Sequence, residues 1–363
     1  MLPTRALTLL FSLVLLGSLA HPAAAQDDPA ALAAGCQWLY SAGGAGQFTN
    51  LYNDPDATLL NNLRFGDPFV ETGDIARDGY LDFDGNGRQD LFRVVSRPDG
   101  FLQWQYSPNS AGAWVNLAYA GIPLEDLRFG DFNSDSKTDV FAAIPQPNGA
   151  RHWSFSSRGV ANFALLRSIS AAEHALYGIP RPGDFNGDGK TDLFVASPRT
   201  DGAWQWRYAP SGSGALVDLA YATILPADLR FGDFNGDRKT DVFAAIPQPG
   251  GARHWSFSAG GVASFSLLKS VSAISATLYG HPRLGDFNGD GKTDLFVTEP
   301  RTDGAWQWKY APGGSAEFVN LAYSTVLPND LRLGQFNQDG FKTDVFAAPG
   351  CSQVRFLLPL VMQ

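Results

Sequence analysis

The chain has 363 residues, 39 of them glycine and 23 proline, two cysteines and a formal net charge of −9. An acidic balance argues against nucleic acid and anionic membrane surfaces as partners. So much Gly and Pro favours turns over helices, and after residue 26 helical periodicity gives way to short apolar or aromatic runs bounded by Gly, Pro, Asn and Asp, the pattern of an all-β chain.

Residues 1–25 read as an export signal. Arg5 precedes the apolar run 6–20, and Ala23-Ala24-Ala25 offers small residues before a cut ahead of Gln26. The expectation is a secreted or cell-surface protein, with no later stretch of the roughly 18 apolar residues that a membrane-spanning helix needs. A lipoprotein anchored at Cys36 is the rival reading, disfavoured because Asp27 and Asp28 separate that cysteine from the apolar run.

The dominant signal follows. An acidic loop, Asp82-Phe83-Asp84-Gly85-Asn86-Gly87-Arg88-Gln89-Asp90, returns at Asp131, Asp184, Asp233 and Asp286, and in altered form at Gln335. The spacings are 49, 53, 49, 53 and 49 residues. A fixed period near 50 residues signals stacked structural units. Between 230 and 270 one unit reads as four strands: Arg230–Phe234, Val242–Ala245, Arg253–Ser258 and Ser264–Leu268. A tight turn at Pro249-Gly250-Gly251 separates the second from the third. Equivalent turns are Asp99-Gly100, Asn148-Gly149, Asp201-Gly202 and Asp303-Gly304, strong hairpin signals. Four short antiparallel strands per repeat describe a propeller blade. The alternating spacing makes a doublet of 102 residues, and three doublets predict a six-bladed β-propeller.

The chain ends complete the count. The sixth unit supplies strands at Arg332–Phe336 and Val345–Ala348, and its missing half is predicted at the amino terminus. There Gln37-Trp38-Leu39-Tyr40 and Gln47–Leu51 match Gln307-Trp308-Lys309-Tyr310 and Glu317–Leu321. The propeller is thus expected over 26–351, its last blade closed by strands from both ends. A Cys36–Cys351 disulfide is expected at that closure. Residues 352–363 form a tail without an assigned role.

The loops carry oxygen ligands at positions 1, 3, 5 and 9, as a hard cation such as Ca²⁺ requires. The sets are Asp82, Asp84, Asn86 and Asp90; Asp131, Asn133, Asp135 and Asp139; Asp184, Asn186, Asp188 and Asp192; Asp233, Asn235, Asp237 and Asp241; and Asp286, Asn288, Asp290 and Asp294. Backbone carbonyls at position 7 (Arg88, Lys137, Lys190, Lys239 and Lys292) add a ligand each. Position 12, where an EF-hand places a glutamate, holds Arg93, Ala142, Val195, Ala244 and Val297, so these are not EF-hands. Gly87, Gly189 and Gly291 stand where an unusual backbone is needed, and weaker binding is expected where Ser136 and Arg238 replace them. Gln335 and the inserted Phe341 argue against a tight sixth site.

Gly183–Val195 and Gly285–Val297 resemble the FG-GAP/VCBS repeat, a family that includes the integrin α-chain propeller and many secreted bacterial proteins. The resemblance covers about 310 residues. It implies a calcium-bearing β-propeller with the ligand positions named above, and it implies no particular partner or activity. The chain departs from the integrin pattern in having six blades and intact loops in five of them.

Signs of catalysis are sparse. No Gly-x-Ser-x-Gly elbow, His-Glu-x-x-His or P-loop occurs. His152 and His254 occupy equivalent strand positions that suit packing or hydrogen bonding, while Glu125, Asp126, Glu173 and Asp201 leave open a secreted polysaccharide-active enzyme. Trp204, Trp206 and Tyr208, like Trp306, Trp308 and Tyr310, alternate along a strand and are expected to fill gaps between blades. Trp114, Tyr177 and Tyr279 are the better candidates for sugar contact. The expectation is a non-catalytic, calcium-stabilised binding or adhesion module for an extracellular glycan or protein. Its partner is expected on the face opposite the metal loops, at turns such as Arg199-Thr200-Asp201 and Arg301-Thr302-Asp303.

Overall fold

In a computed structural model of the chain, residues 36–54, 63–64, 81–110, 113–337 and 342–347 are described. Their strands form six four-stranded antiparallel sheets. Blade 1 contains β3 (Leu63–Arg64), β4 (Leu91–Ser96), β5 (Leu102–Ser107) and β6 (Val115–Ala120). Blade 2 contains β7 (Leu127–Gly130), β8 (Asp139–Pro145), β9 (Arg151–Ser156) and β10 (Ala164–Ile169). Blade 3 contains β11 (Arg181–Gly183), β12 (Asp192–Pro198), β13 (Trp204–Ala209) and β14 (Val217–Ala222). Blade 4 contains β15 (Arg230–Gly232), β16 (Asp241–Pro247), β17 (Arg253–Ser258) and β18 (Ser266–Val271). Blade 5 contains β19 (Arg283–Gly285), β20 (Asp294–Pro300), β21 (Trp306–Ala311) and β22 (Val319–Ser324).

The sixth blade joins β23 (Leu331–Gly334) and β24 (Asp344–Ala347) to β1 (Cys36–Ser41) and β2 (Thr49–Asp54). The seam is the pairing of Leu39, Tyr40 and Ser41 with Ala347, Phe346 and Val345. The closure by both chain ends is therefore as the repeat predicts. Cys351 and the side chain of Cys36 lie outside the described residues, as do the signal segment and the tail.

Blades stack through aromatic side chains. The third strand of every blade buries one tryptophan completely or nearly so: Trp38, Trp104, Trp153, Trp206, Trp255 and Trp308. Five of these meet an aromatic ring of the next blade edge-on. The pairs are Trp104 with Phe163, Trp206 with Phe265, Trp255 with Phe318, Trp308 with Phe48 and Trp38 with Trp114. In the remaining seam Leu216 of blade 3 packs into the cluster that holds Trp153. Edge-to-face pairs add to the large area each ring removes from water. The second strands are buried on both faces for this reason, as in Asp241–Ala245, and a proline ends β8, β12, β16 and β20 where ladder bonding must stop.

Among the described residues two α-helices lie beyond the sequence reading, α1 (Ala171–Tyr177) and α2 (Ala273–Tyr279). Both lie in connections from an even blade to an odd one, and they account for the longer 53-residue spacing. The signal for α1 was a capping box. Ser170 accepts a hydrogen bond from the Glu173 amide, and the Glu173 carboxylate accepts one from the Ser170 amide.

Blade 1 differs from the others at its innermost strand. β3 is drawn from Leu63–Arg64, well upstream of the loop at Asp82, with Arg64 opposite Phe92 as Arg181 is opposite Phe194. Leu-Arg-Phe-Gly-Asp at 63–67 repeats at 127–131 and 229–233, so the sequence held this signal.

Candidate metal centres

Each loop is wound around its first aspartate. Asp184 Oδ1 accepts hydrogen bonds from the Gly187 and Asp188 amides and Oδ2 from Gly189, at 2.7, 3.2 and 2.8 Å. Asp82, Asp131, Asp233 and Asp286 do the same in their own loops. Positions 3 and 5 form successive Asx turns. Asn186 Oδ1 accepts from the Asp188 amide, and Asp188 Oδ1 from the Lys190 amide. The position-7 amides of Arg88, Lys137, Lys239 and Lys292 are held the same way by Asn86, Asp135, Asp237 and Asp290.

The fifth ligand candidate, at position 9, is also a staple. Asp192 Oδ2 accepts from the Phe185 amide of its own loop, and Oδ1 from Ser211 in the turn between the third and fourth strands. The pattern recurs at Asp90, Asp139, Asp241 and Asp294, all fully buried. Asp344 makes the same two bonds, to Phe336 and to Gly43, so the staple survives in the sixth blade where position 1 is Gln335. Residues 338–341 of that loop lie outside the described residues.

Position 8 carries a role that sequence reasoning missed. Thr138 Oγ1 accepts from the Asp82 amide of the preceding blade, while its own amide donates to the Asp82 carbonyl. Thr191, Thr240, Thr293 and Thr343 bridge to Asp131, Asp184, Asp233 and Asp286 in the same way. The five intact loops are thus threaded one to the next into an arc on one face of the disk, which Thr343 extends to the sixth blade. Position-7 lysines cross the same seams. Lys137 Nζ donates to the Asp84 carbonyl, and a Cβ on Gly85 would lie 2.7 Å from Lys137 Cε. The Lys-Thr-Asp string held this signal, because its threonine recurs between two residues read as ligands.

The oxygens of the first loop could hold a hard dication. Carboxylate oxygens of Asp82, Asp84 and Asp90 lie within 4.8 Å of one another. Burial pushes the position-9 carboxyls of Asp90, Asp139, Asp192, Asp241 and Asp294 up to about 7, against the hydrogen bonds that favour the charged form. Burial likewise raises Asp82, Asp184, Asp233 and Asp286. Such crowding of partly desolvated acids is relieved by a bound cation.

Position 6 adopts positive φ in every intact loop: 77°, 75° and 82° at Gly87, Gly189 and Gly291, and 65° at both Ser136 and Arg238. The two side-chain-bearing loops therefore carry the predicted strain. An Arg238→Gly substitution keeps the amide bond to Asp233 and removes a left-handed non-glycine residue. It is expected to stabilise the metal-free protein by about 0.5–1 kcal/mol, after the entropy of the added glycine is deducted. A melt in chelator checks this, and a lower melting temperature for the variant would contradict it.

The remaining candidates fall elsewhere. Trp114 packs edge-on against Trp38 with the Arg93 guanidinium 4.0 Å from its ring centre. Tyr177 and Tyr279 pack against inter-blade clusters, and the Tyr279 hydroxyl donates to Glu299. All three are thus committed to packing between blades. His152 and Glu173 line an open cleft of about 700 Å³ with Gln146, Asn148 and Ser168 at the hairpin end of blade 2. Glu173 and Asp201 have carboxyls held below the usual range, by the Ser170 amide and by the Arg199 guanidinium.

Fold and loops together define a six-bladed propeller in which five blades carry an intact acidic loop before their second strand. The FG-GAP-like repeat profile matches residues 184–244 and 233–297, and the FG-GAP repeat profile matches 282–315. The chain carries repeats of the FG-GAP family. No curated protein matches the sequence. Similar solved structures include the uncharacterized protein lmo1340 from Listeria monocytogenes EGD-e, at 7% identity over 74% of each chain and a TM-score of 0.40. SapL1 lectin in complex with alpha methyl fucoside is similar at 10% identity, 76% of this chain, 87% of that chain and 0.40. AofleA from Arthrobotrys oligospora is similar at 10% identity, 78%, 82% and 0.38.

Proposed function

We propose that this protein is an extracellular, calcium-stabilised propeller that works as a non-catalytic binding module for a glycan or protein. The observation that carries this reading is the threaded arc of five oxygen-rich loops. Ca²⁺ held there would rigidify one face, with Asp, Asn and position-7 carbonyls as ligands, and leave the opposite face of hairpins and inter-blade connections for a partner. The metal role is structural in this reading, since the acids of each loop hold the loop and the hairpin turn of its own blade, while the position-1 backbone ties that loop to the next blade. The low carboxyls of Glu173 and Asp201 suit neither residue to act as the general acid of a glycosidase, which needs a raised one.

The test is binding of purified protein to a glycan array and, in parallel, partner capture from extracellular protein fractions, each in millimolar Ca²⁺ and in EDTA. Saturable, Ca²⁺-dependent binding without release of new reducing ends is expected. Release of reducing ends that a single loop-acid substitution abolishes, in a folded protein, would overturn the non-catalytic role.

A further inference from the structure

On the face opposite the metal loops, the odd blades share a four-residue cluster that blades 2 and 4 lack. In blade 1 the Arg97 guanidinium donates to both Asp99 oxygens, at 2.8–3.2 Å, and to Gln103 Oε1 at 3.0 Å. Its Cζ lies 4.2 Å from the ring centre of Tyr119. Blade 3 repeats this with Arg199, Asp201, Gln205 and Tyr221 at 4.1 Å, and blade 5 with Arg301, Asp303, Gln307 and Tyr323 at 4.2 Å. The guanidinium covers one face of each ring, yet the tyrosines remain 54%, 58% and 58% exposed. Phe101, 46% exposed, meets Tyr119 edge-on and widens the first copy.

The bland explanation is that the cluster merely stiffens its hairpin. Blades 2 and 4 argue against it. At the corresponding positions they carry Gln146, Asn148, His152 and Ser168, and Gln248, Gly250, His254 and Ser270, with His152 opposite Ser168 as Gln103 is opposite Tyr119. Their hairpins close with the same backbone bonds nonetheless. Gly149 N donates to Gln146 O at 3.1 Å, as Gly100 N does to Arg97 O at 3.1 Å. The turn forms without arginine, aspartate or tyrosine, and all four residues change together. A large aromatic side chain held at the surface over three repeats, at no need of the fold, is the signature of a contact residue.

We propose that Tyr119, Tyr221 and Tyr323 are three equivalent platforms for pyranose rings of a glycan. This rests on the reading of the protein as a binding module and names its ligand class and site. An aromatic face takes the apolar C–H face of a sugar, and the arginine beneath fixes the ring before the ligand arrives, which lowers the ordering cost of binding. The phenol hydroxyl and the outward lone pairs of Asp99, Asp201 and Asp303 supply hydrogen bonds to sugar hydroxyls. Three sites on alternate blades favour a polymer or a densely displayed glycan, for which avidity multiplies a weak single-site affinity.

The experiment uses an array printed with oligosaccharides ending in glucose, galactose, mannose, fucose and N-acetylglucosamine, with a melting curve for each protein. The variant combines Tyr119→Ser, Tyr221→Ser and Tyr323→Ser, the residue that blades 2 and 4 already carry there. It is expected to melt within a few degrees of wild type and to lose on the order of 10²-fold in apparent affinity on the array. The corresponding Tyr→Phe triple variant keeps the stacking face and is expected to lose less than about tenfold. Wild-type-level binding by the folded Ser variant would overturn the platforms and leave the binding-module reading intact. A wild-type protein that binds none of the printed sugars would overturn the platforms together with the glycan reading.

Discussion

Chelation is expected to lower the melting temperature on the order of 10 °C. If each loop binds Ca²⁺ with a Kd on the order of 10⁻⁴ M, millimolar Ca²⁺ contributes roughly 1.4 kcal/mol per site, and five sites about 7 kcal/mol. That is comparable to the whole stability of an ordinary domain, and about 1.5 °C per kcal/mol for a chain of this length gives the shift. The pH dependence has a definite sign. The position-9 carboxyls stand at about 7 in the fold and near 3.9 when unfolded, so the metal-free fold binds more protons between those values. Stability in EDTA should therefore fall as pH rises from about 4 to about 7, then level off. Calcium needs these groups ionised and should reverse the trend, so the gap between Ca²⁺ and EDTA melts widens from pH 5 to pH 8. Identical melts with and without chelator would sink the structural-calcium reading.

Much of this architecture was legible because repeats turn local signals into global ones. Spacings of 49 and 53 residues gave the blade count, and the match of 37–51 to 307–321 revealed the closing strands before any contact was known. Strand bounds came within a few residues, as Arg253–Ser258 did without error. What stayed hidden is what depends on the neighbouring blade. Thr138 looks like filler until Asp82 of the previous blade is placed 56 residues away and bonded to it. Tyr119 looks like any strand residue until the burial of Trp104 and the exposure of Tyr119 separate the two aromatics. The α1 and β3 signals were local, a capping box and a repeated Leu-Arg-Phe-Gly-Asp string, and were masked by the stronger acidic-loop period.

The staple at position 9 separates the structural and metal roles of one residue type. Asp344 has no intact ligand set beside it, yet its carboxylate joins Phe336 to Gly43, residues from opposite ends of the chain. Replacing it with alanine strands two amides in a buried turn next to the three-residue seam that closes the ring. At roughly 1–3 kcal/mol per unsatisfied group, Asp344→Ala is expected to cost about 2–6 kcal/mol, by the same amount in Ca²⁺ and in EDTA. Asp192→Ala removes the same pair of acceptors, from Phe185 and Ser211, and also a ligand. Its cost in EDTA should match that of Asp344→Ala, while in Ca²⁺ it should exceed it by about the worth of one site, roughly 1.4 kcal/mol. Denaturant melts of the two variants under both conditions give the comparison. A calcium-dependent cost at Asp344 would mean that the sixth loop binds metal after all. A calcium-independent cost at Asp192 would reduce the third loop to a turn held by its own hydrogen bonds.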